Sequence, residues 1–345
     1  MKAGPLAGDT RLDAEMVIPL RWATEPNPGA VVEMAGYLAT MAQLLDVTVV
    51  DGSPPEDFAQ HDLAWSTHVR LMRPDPRPGA NGKVVGAMTG VRCARHGRVV
   101  LADDDVRYDE HLLRTLLALM DGADLVRPAN VFSSWPWHAR WDGSRSLLNR
   151  AVAADWPGTF AVRRSLLEAT DGWDADVMFE NLELVRTVRA VGGVVLDAPQ
   201  VLVPRLAPTA RHFWSQRVRQ AYDDLAQPWR LLGALATGPA VLWALRRSPS
   251  AAGAGALAAI TLAESGRRRH GADRLVPATV PLFAPLWLGE RAVCSWLALF
   301  ARLRGGVRYR DRRLPTAAHT TAQIRRRLAP GPAQALRGAE TAGRW

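Results

Sequence analysis

Apolar positions in the first two thirds of the chain alternate between short bounded runs and longer segments with helical spacing. Met16-Val17-Ile18-Pro19-Leu20 and Val47-Thr48-Val49-Val50 are strand-length runs, the second closed by the turn cluster Asp51-Gly52-Ser53-Pro54. Residues 31–45 carry apolar side chains at helix intervals. The pattern then predicts a strand over 67–71, a helix over 82–94, a strand over 98–102, a helix over 108–120 and a strand over 124–127. Strands alternating with helices imply an α/β fold, a mostly parallel sheet covered by helices, whose ligands bind beyond the carboxyl ends of the strands. Residues 132–156, rich in Trp, read as an irregular loop or lid. Helices are expected over 161–170, 179–191 and 208–226, with Gly192-Gly193 as a stop before a strand at 194–196.

After Pro228 the pattern changes to charge-free runs, 231–245, 251–263 and 275–289, separated by Arg246-Arg247 and Arg267-Arg268-Arg269. Each run is shorter than the roughly 18–20 residues of a simple membrane span. The flanking arginines suit anionic headgroups, so these segments read as membrane-associated helices, whether interfacial or spanning. The expected organisation is a flexible N-terminus over 1–15, a catalytic domain over 16–227, hydrophobic membrane-associated helices over 228–304 and a basic tail over 305–345, disordered after Pro330.

Charge supports a division of labour. The net +9 is split between residues 1–205, with 21 basic and 27 acidic side chains, and residues 206–345, with 22 and 7. Such a basic half seeks phosphate on nucleic acid or on lipid headgroups, and uncharged runs are poor nucleic-acid surfaces. Apolar residues at 48% and charged residues at 22% exclude wholesale disorder and a polytopic bundle. Two distant cysteines, Cys93 and Cys294, exclude a disulfide framework, and residues 1–15 hold no apolar signal segment. Of 43 basic residues only Lys2 and Lys83 are lysines, which singles out Lys83.

Candidate chemistry sits at the predicted strand ends. Asp103-Asp104-Asp105 follows an apolar strand, and three adjacent carboxylates repel unless a cation holds them; hard Mn²⁺ or Mg²⁺ fits, with Asp103 and Asp105 as ligands. The plain alternative is a solvated turn or a helix cap. Asp51 ends the second strand, where a carboxylate can accept from a ribose or a base edge, or can simply make an Asp-Gly turn. Lys83, in Asn81-Gly82-Lys83 at a helix start, supplies a compact charge against a diphosphate, or is an exposed surface lysine. Glu180 and Glu183 open a helix as ordinary dipole partners or, for Glu180, as a general base. Gln216 and Arg219 share a helix face with Trp214 beside them, suited to a leaving diphosphate or to a plain amphipathic surface.

Taken in order, these motifs resemble family 2 glycosyltransferases of the GT-A fold, a Rossmann-like mostly parallel sheet. The resemblance implies that Pro19, Arg21, Asp51, Lys83, Asp103 and Asp104 bind the nucleotide sugar, that Asp103 and Asp105 form the DXD motif holding Mn²⁺ or Mg²⁺, and that Trp156, Gly158, Thr159 and Trp214 line the acceptor side. Phe179-Glu180-Asn181 is similar to the Glu-Asp motif, with Asn at the place of the usual base, which makes Glu180 the substitute. Gln216 to Gln220 is similar to QxxRW with Gln for Trp, and the chain loosely resembles the membrane-associated, lipid-glycosylating branch that includes ceramide glucosyltransferase-like enzymes. The activity implied is metal-dependent inverting transfer from a UDP- or GDP-sugar to a lipid or glycan acceptor at the cytoplasmic face of the cell membrane, with no nucleic-acid partner. A nucleotidyltransferase, or a non-enzymatic nucleic-acid-binding protein, is the competing reading.

Overall fold

The structure is a computed structural model that describes residues 11–22, 28–153, 155–309 and 312–329. In chain order its elements begin β1 (Glu15–Leu20), α1 (Pro28–Leu44), β2 (Asp46–Asp51), α2 (Pro55–Trp65), β3 (Arg70–Met72), α3 (Gly82–Cys93) and β4 (Arg98–Ala102). They continue with α4 (Glu110–Ala118), β5 (Leu125–Phe132), α5 (Trp137–Val152), β6 (Thr159–Arg163), α6 (Arg164–Ala169), α7 (Glu180–Ala190), β7 (Val195–Arg205) and α8 (Ala210–Tyr222). The last elements are α9 (Pro228–Arg247), α10 (Pro249–Arg268), α11 (Ala284–Leu303), β8 (Val307–Tyr309), β9 (Arg312–Leu314) and α12 (Thr321–Leu328).

Seven strands form one sheet in the order β3-β2-β1-β4-β6-β5-β7, parallel except at β6, which runs antiparallel to both β4 and β5. Alternate strand residues face opposite layers. Met16, Ile18, Leu20 and Val100 pack under α1 and α4, whereas Val17, Val99 and Leu101 pack under α3 and α7. Small residues let α3 lie close on β1: a Cβ on Gly86 would stand 3.1 Å from Pro19, and one on Gly90 would collide with Val17. The order reverses between β1 and β4, so the loops after these two strands flank a crevice at the carboxyl edge of the sheet.

Several expectations are corrected. The segment 132–156 is not a loop, because it contains the helix α5, which buries Leu147 and Leu148 against Ala259 and Ala263 of α10. The stretch expected to be helical from residue 161 is still strand to Arg163, because its apolar residues pair with β4 and β5. The strand expected over 67–71 begins only at Arg70, after turns at residues 66–69.

Residues 11–15, expected to be flexible, are tied down: Leu12 N–H donates to Leu44 O at 2.7 Å and Arg11 meets Asp46 at 2.6 Å. The basic tail after residue 304 is structured as far as the described residues run, as the hairpin β8–β9 and a helix α12 held by a capping box at Thr320 and Gln323. The expected disorder after Pro330 lies outside the described residues. Helices α9, α10 and α11 replace the three apolar runs, and no helix among the described residues is long and apolar enough to cross a membrane.

Candidate active site

The three aspartates leave the end of β4 in divergent directions. A turn fixes them: Asp103 N–H donates to Gly158 O at 2.8 Å and Val106 N–H to Asp103 O at 3.0 Å. Asp103 Oδ1 lies 2.6 Å from Lys83 Nζ, which also lies 2.7 Å from Glu180 Oε1. Asp104 accepts from Trp22 Nε1, while Asp105 Oδ2 pairs with Arg205, whose Nε stands 3.1 Å away. The other oxygen of Asp105, Oδ1, is buried without a partner.

Crowding of like charge shows in the proton affinities. Burial, and then the neighbouring Asp105, push Asp103 up to about 6 against the opposing pull of Lys83. Burial and Asp105 also raise Asp104. Burial favours the neutral amine of Lys83, yet Asp103 and Glu180 outweigh it and hold the ammonium above its ordinary value. Adjacent carboxylates at the end of β4, with Asp105 Oδ1 unpartnered, make an oxygen donor set of the kind a hard divalent cation takes. Asp103 and Asp105 would hold it.

Gly158 belongs to this arrangement through its missing side chain. It follows Pro157 ahead of β6, its N–H donates to Asn130 Oδ1 at 2.7 Å, and a Cβ there would collide with the Asp103 carboxylate. The backbone thus approaches the acidic turn as only glycine allows.

Two cavities meet at Lys83 and Asp103. The first, about 570 Å³, lies over the crevice between β1 and β4 and is lined by Pro19, Arg21, Gly52, Lys83, Asp103, Asp104, His212, Gln216, Arg219 and Tyr309 among others. The second, about 250 Å³, lies beyond Lys83 and is lined by Trp156, Gly158, Glu180, Asn181, Gln220, Asp223, Asp224, Arg230 and Arg291, and shares Lys83, Asp103, Gln216 and Arg219 with the first.

The expected residues separate into those that line a cavity and those that do not. Pro19, Arg21, Lys83, Asp103, Asp104, Gln216 and Arg219 line the first; Trp156, Gly158 and Glu180 line the second. Asp51 does not face the crevice: its buried carboxylate accepts from Ser53 N–H at 2.8 Å and lies 2.7 Å from His61 Nδ1, so it shapes the turn after β2. Thr159 is buried, donating to Leu101 O at 2.7 Å and meeting Tyr108 OH at 2.9 Å. Trp214 lies outside both linings, half exposed among Trp137, Trp141 and Phe213. Asn181 donates to Pro157 O at 2.9 Å and so shapes the loop before Gly158.

Other residues were missed by the sequence reading. His212, on the first turn of α8, faces the aspartates; burial lowers its proton affinity while Asp105 partly restores it. Tyr309 comes from β8, its ring beneath the Arg219 guanidinium at 4.8 Å and its hydroxyl 3.3 Å from Asn81 Oδ1. The helical spacing of His212 and Gln216 was the available signal for the first; nothing local marked the second. A separate group, Asp174, Glu183 and His319, has ligand atoms within 4.8 Å of one another. It lines neither cavity, and His319 donates its backbone N–H to Glu183 at 2.7 Å while Arg327 holds Asp174.

Comparison with known proteins places the chain. No curated protein matches its sequence. Among solved structures it is similar to a mannosyltransferase from Pyrobaculum calidifontis in complex with GDP-Man and Mn²⁺, at 18% identity and a TM-score of 0.48, covering 86% of this chain and 90% of that one. It is also similar to mannosyl-3-phosphoglycerate synthase from Rubrobacter xylanophilus, at 16% identity and TM-score 0.41, covering 60% and 70%. Glucosyl-3-phosphoglycerate synthase from Mycobacterium tuberculosis, in complex with phosphoglyceric acid, matches at 15% and 0.41, covering 60% and 75%. The model of the glycosyltransferase-like family 2 matches residues 46–222, just over half of the chain, from β2 through the acidic turn to the end of α8. That stretch carries the Lys83, Asp103 and Glu180 bridge and most of both cavities, and it sets aside the nucleic-acid-binding reading: the chain belongs to the glycosyltransferase-like family 2 and is an enzyme of the glycosyltransferase class.

Proposed function

We propose that the protein transfers a sugar from a UDP- or GDP-sugar to a hydroxyl of a lipid or glycan, with inversion at the sugar carbon and dependence on Mn²⁺ or Mg²⁺. The observation that carries this reading is the junction of two cavities at Lys83 and Asp103. The larger cavity, with Pro19 and Arg21 at its β1 end, takes the nucleotide. The smaller one, walled by Trp156, Gly158 and Glu180, takes the acceptor. Attack across the junction is a single displacement, which inverts the sugar carbon.

Asp103 and Asp105 would hold a divalent cation, which would supply charge neutralisation for the departing diphosphate. The chain's own donors add to this: Arg219 and Gln216 stand where both cavities see them and stabilise developing negative charge on the leaving group. Lys83 holds Asp103 and Glu180 in one ion bridge and so fixes the acidic wall on the acceptor side. The acceptor hydroxyl gives its proton to a carboxylate that lines this cavity.

The reading extends to the cytoplasmic surface of the cell membrane. Helix α9 buries none of its side chains, and Trp229, Trp243, Trp296 and Leu303 stand more than half exposed. Arg247 and Arg304 cover Trp243 and Phe300 at 5.9 and 3.9 Å. Aromatic side chains beside arginines suit an anionic headgroup layer. Incubation of the protein with UDP- and GDP-sugars, Mn²⁺ or Mg²⁺ and membrane lipid extract, read by mass spectrometry, should give a metal-dependent hexose gain. No gain with any donor would refute the activity, and failure to float with anionic vesicles would refute the docking.

A further inference from the structure

The second cavity contains a carboxyl that the chemistry above leaves unused. Asp223 follows α8 directly, opens the short helical turn 223–226 and lines the cavity with Glu180, Trp156 and Gly158. Its Oδ1 is closed off from solvent and has no hydrogen-bond partner. Arg291 of α11, 4% exposed and with Nε unpartnered, lines the same cavity. Asp223 and Arg291 both line this cavity and each keeps a polar atom without a hydrogen-bond partner, so a polar ligand seated between them has bonding left to complete.

Neither residue of the motif on α7 is well placed to accept a proton. Asn181 has no basic site and spends its amide on Pro157 O. Glu180 is held by the Lys83 ammonium at 2.7 Å, so its Oε1 is already engaged in the bridge to Asp103. Asp223 is in the opposite condition. The groups that face it are Glu180 from α7, the adjacent Asp224, Arg291 from α11 and Arg219 one turn earlier on α8. Burial first, then Glu180 and Asp224, push it well above the ordinary carboxylate range, against the pull of Arg291 and Arg219. A base with high proton affinity beside the bound hydroxyl is what general-base catalysis near neutral pH requires.

We propose that Asp223 is the catalytic base of the transfer, the carboxylate that receives the acceptor's proton. The assignment rests on the glycosyl-transfer reading of the two cavities. In the step, the acceptor oxygen forms a bond to the sugar carbon and its proton passes to Asp223. The bond from that carbon to the diphosphate breaks, and its electron pair leaves with the nucleoside diphosphate. Asp223 must be ionised to act, so the rate rises with pH as its proton is lost. Glu180 keeps Lys83 in place, as a positioning residue.

The test follows nucleoside diphosphate release from GDP-mannose and UDP-glucose with Mn²⁺, first with water and then with membrane lipid extract as the probe acceptor, across pH. The variant D223N should lose roughly a hundredfold in turnover and lose the rise with pH. It should still bind GDP with Mn²⁺ like the parent by calorimetry, and D223E should recover part of the rate. E180Q should turn over more slowly but keep the rise with pH. Infrared difference spectra across pH should show a protonated-carboxyl band that persists above the ordinary carboxylate range and is missing in D223N. The assignment is overturned if D223N releases the diphosphate within about threefold of the parent with the same pH rise, or if it loses GDP binding together with turnover. If D223N does not fold, D223E carries the test: an unchanged pH profile in that variant counts against the assignment. A parent protein that releases no diphosphate from either donor refutes the glycosyl-transfer reading itself, and the base falls with it.

Discussion

Replacing Gly158 by Ala tests the acidic turn with one methyl group. The added Cβ would collide with the Asp103 carboxylate. Gly158 cannot retreat, because its carbonyl accepts from Asp103 N–H at 2.8 Å and its N–H donates to Asn130 Oδ1 at 2.7 Å. Relief therefore comes from the side chain of Asp103, which must turn away and leave the Lys83 ammonium at its present 2.6 Å. Overpacking of this kind costs about 1–3 kcal/mol, a melting shift of a few degrees in a chain of this size. The catalytic effect should be larger. Misplacing one preorganised electrostatic group costs about 3–4 kcal/mol, on the order of a hundred- to a thousandfold in turnover. Diphosphate release with Mn²⁺ should thus fall by at least two orders of magnitude while the thermal transition stays cooperative and drops by only those few degrees. If G158A keeps its turnover and its metal dependence, the Asp103 carboxylate has no part in catalysis and the proposed metal site is wrong.

Three further outcomes are expected. Lys83→Met leaves Asp103 and Glu180 facing each other without their shared cation, so diphosphate release should fall and its acid limb should move to higher pH as Asp103, freed of the pull of Lys83, holds its proton more tightly; a pH-rate series checks it. Asp142, buried between Arg145 and Arg217, is held down to about 2 by those guanidiniums in spite of its burial. A carboxylate depressed on folding stabilises above its unfolded value and loses that stability as pH falls through its folded one, so about 2 kcal/mol should disappear between roughly pH 4 and pH 2 in denaturant titrations, and D142N should flatten that slope. Tyr309→Ala removes the ring beneath Arg219, and nucleotide-sugar binding measured by calorimetry should weaken by about tenfold, the size of a desolvated cation–π contact, with little change in melting.

Legibility in the sequence followed distance along the chain. The strand Arg98–Ala102 was read with its observed bounds, and the carboxylates after it were placed at the carboxyl edge of the sheet, because a bounded apolar run followed by a polar turn is a local signal. Helix α5 was missed for a local reason too: its Trp, His, Arg and Asp side chains break any simple apolar stripe, and the polar ones are buried by partners far away, Asp142 by Arg217 and Asn149 by Arg230. Asp51 was expected at the nucleotide because acidic strand ends usually face the crevice. His61, ten residues on and folded beneath it, takes that carboxylate inward, and nothing in the run Val-Val-Asp-Gly announces such a partner. Asp223 and Tyr309 could not be identified as site residues from sequence, since each reaches its cavity only through the packing of α8, α11 and the C-terminal hairpin.

That hairpin shows why the residues after 304 belong with the catalytic machinery. Phe179 N–H donates to Ala317 O at 2.8 Å and Met178 N–H to Thr316 O at 3.0 Å, so the C-terminal segment is tied by a short parallel bridge at Val177 and Thr316 to the stretch leading into α7. His319 then closes on Glu183 at 2.9 Å, and Arg186 donates to His319 O at 2.7 Å. Glu183 is thus a buried anchor of the helix whose first residue, Glu180, meets Lys83. The same segment carries Tyr309 onto Arg219, and Tyr222 OH, at the end of the helix that precedes Asp223, donates to Pro315 O at 2.7 Å. One strap therefore sets the entry to α7, the end of α8 and the rim of the nucleotide cavity. Three groups from distant parts of the chain, Glu180, Arg219 and Asp223, keep their relative positions through a segment whose composition alone reads as a basic tail.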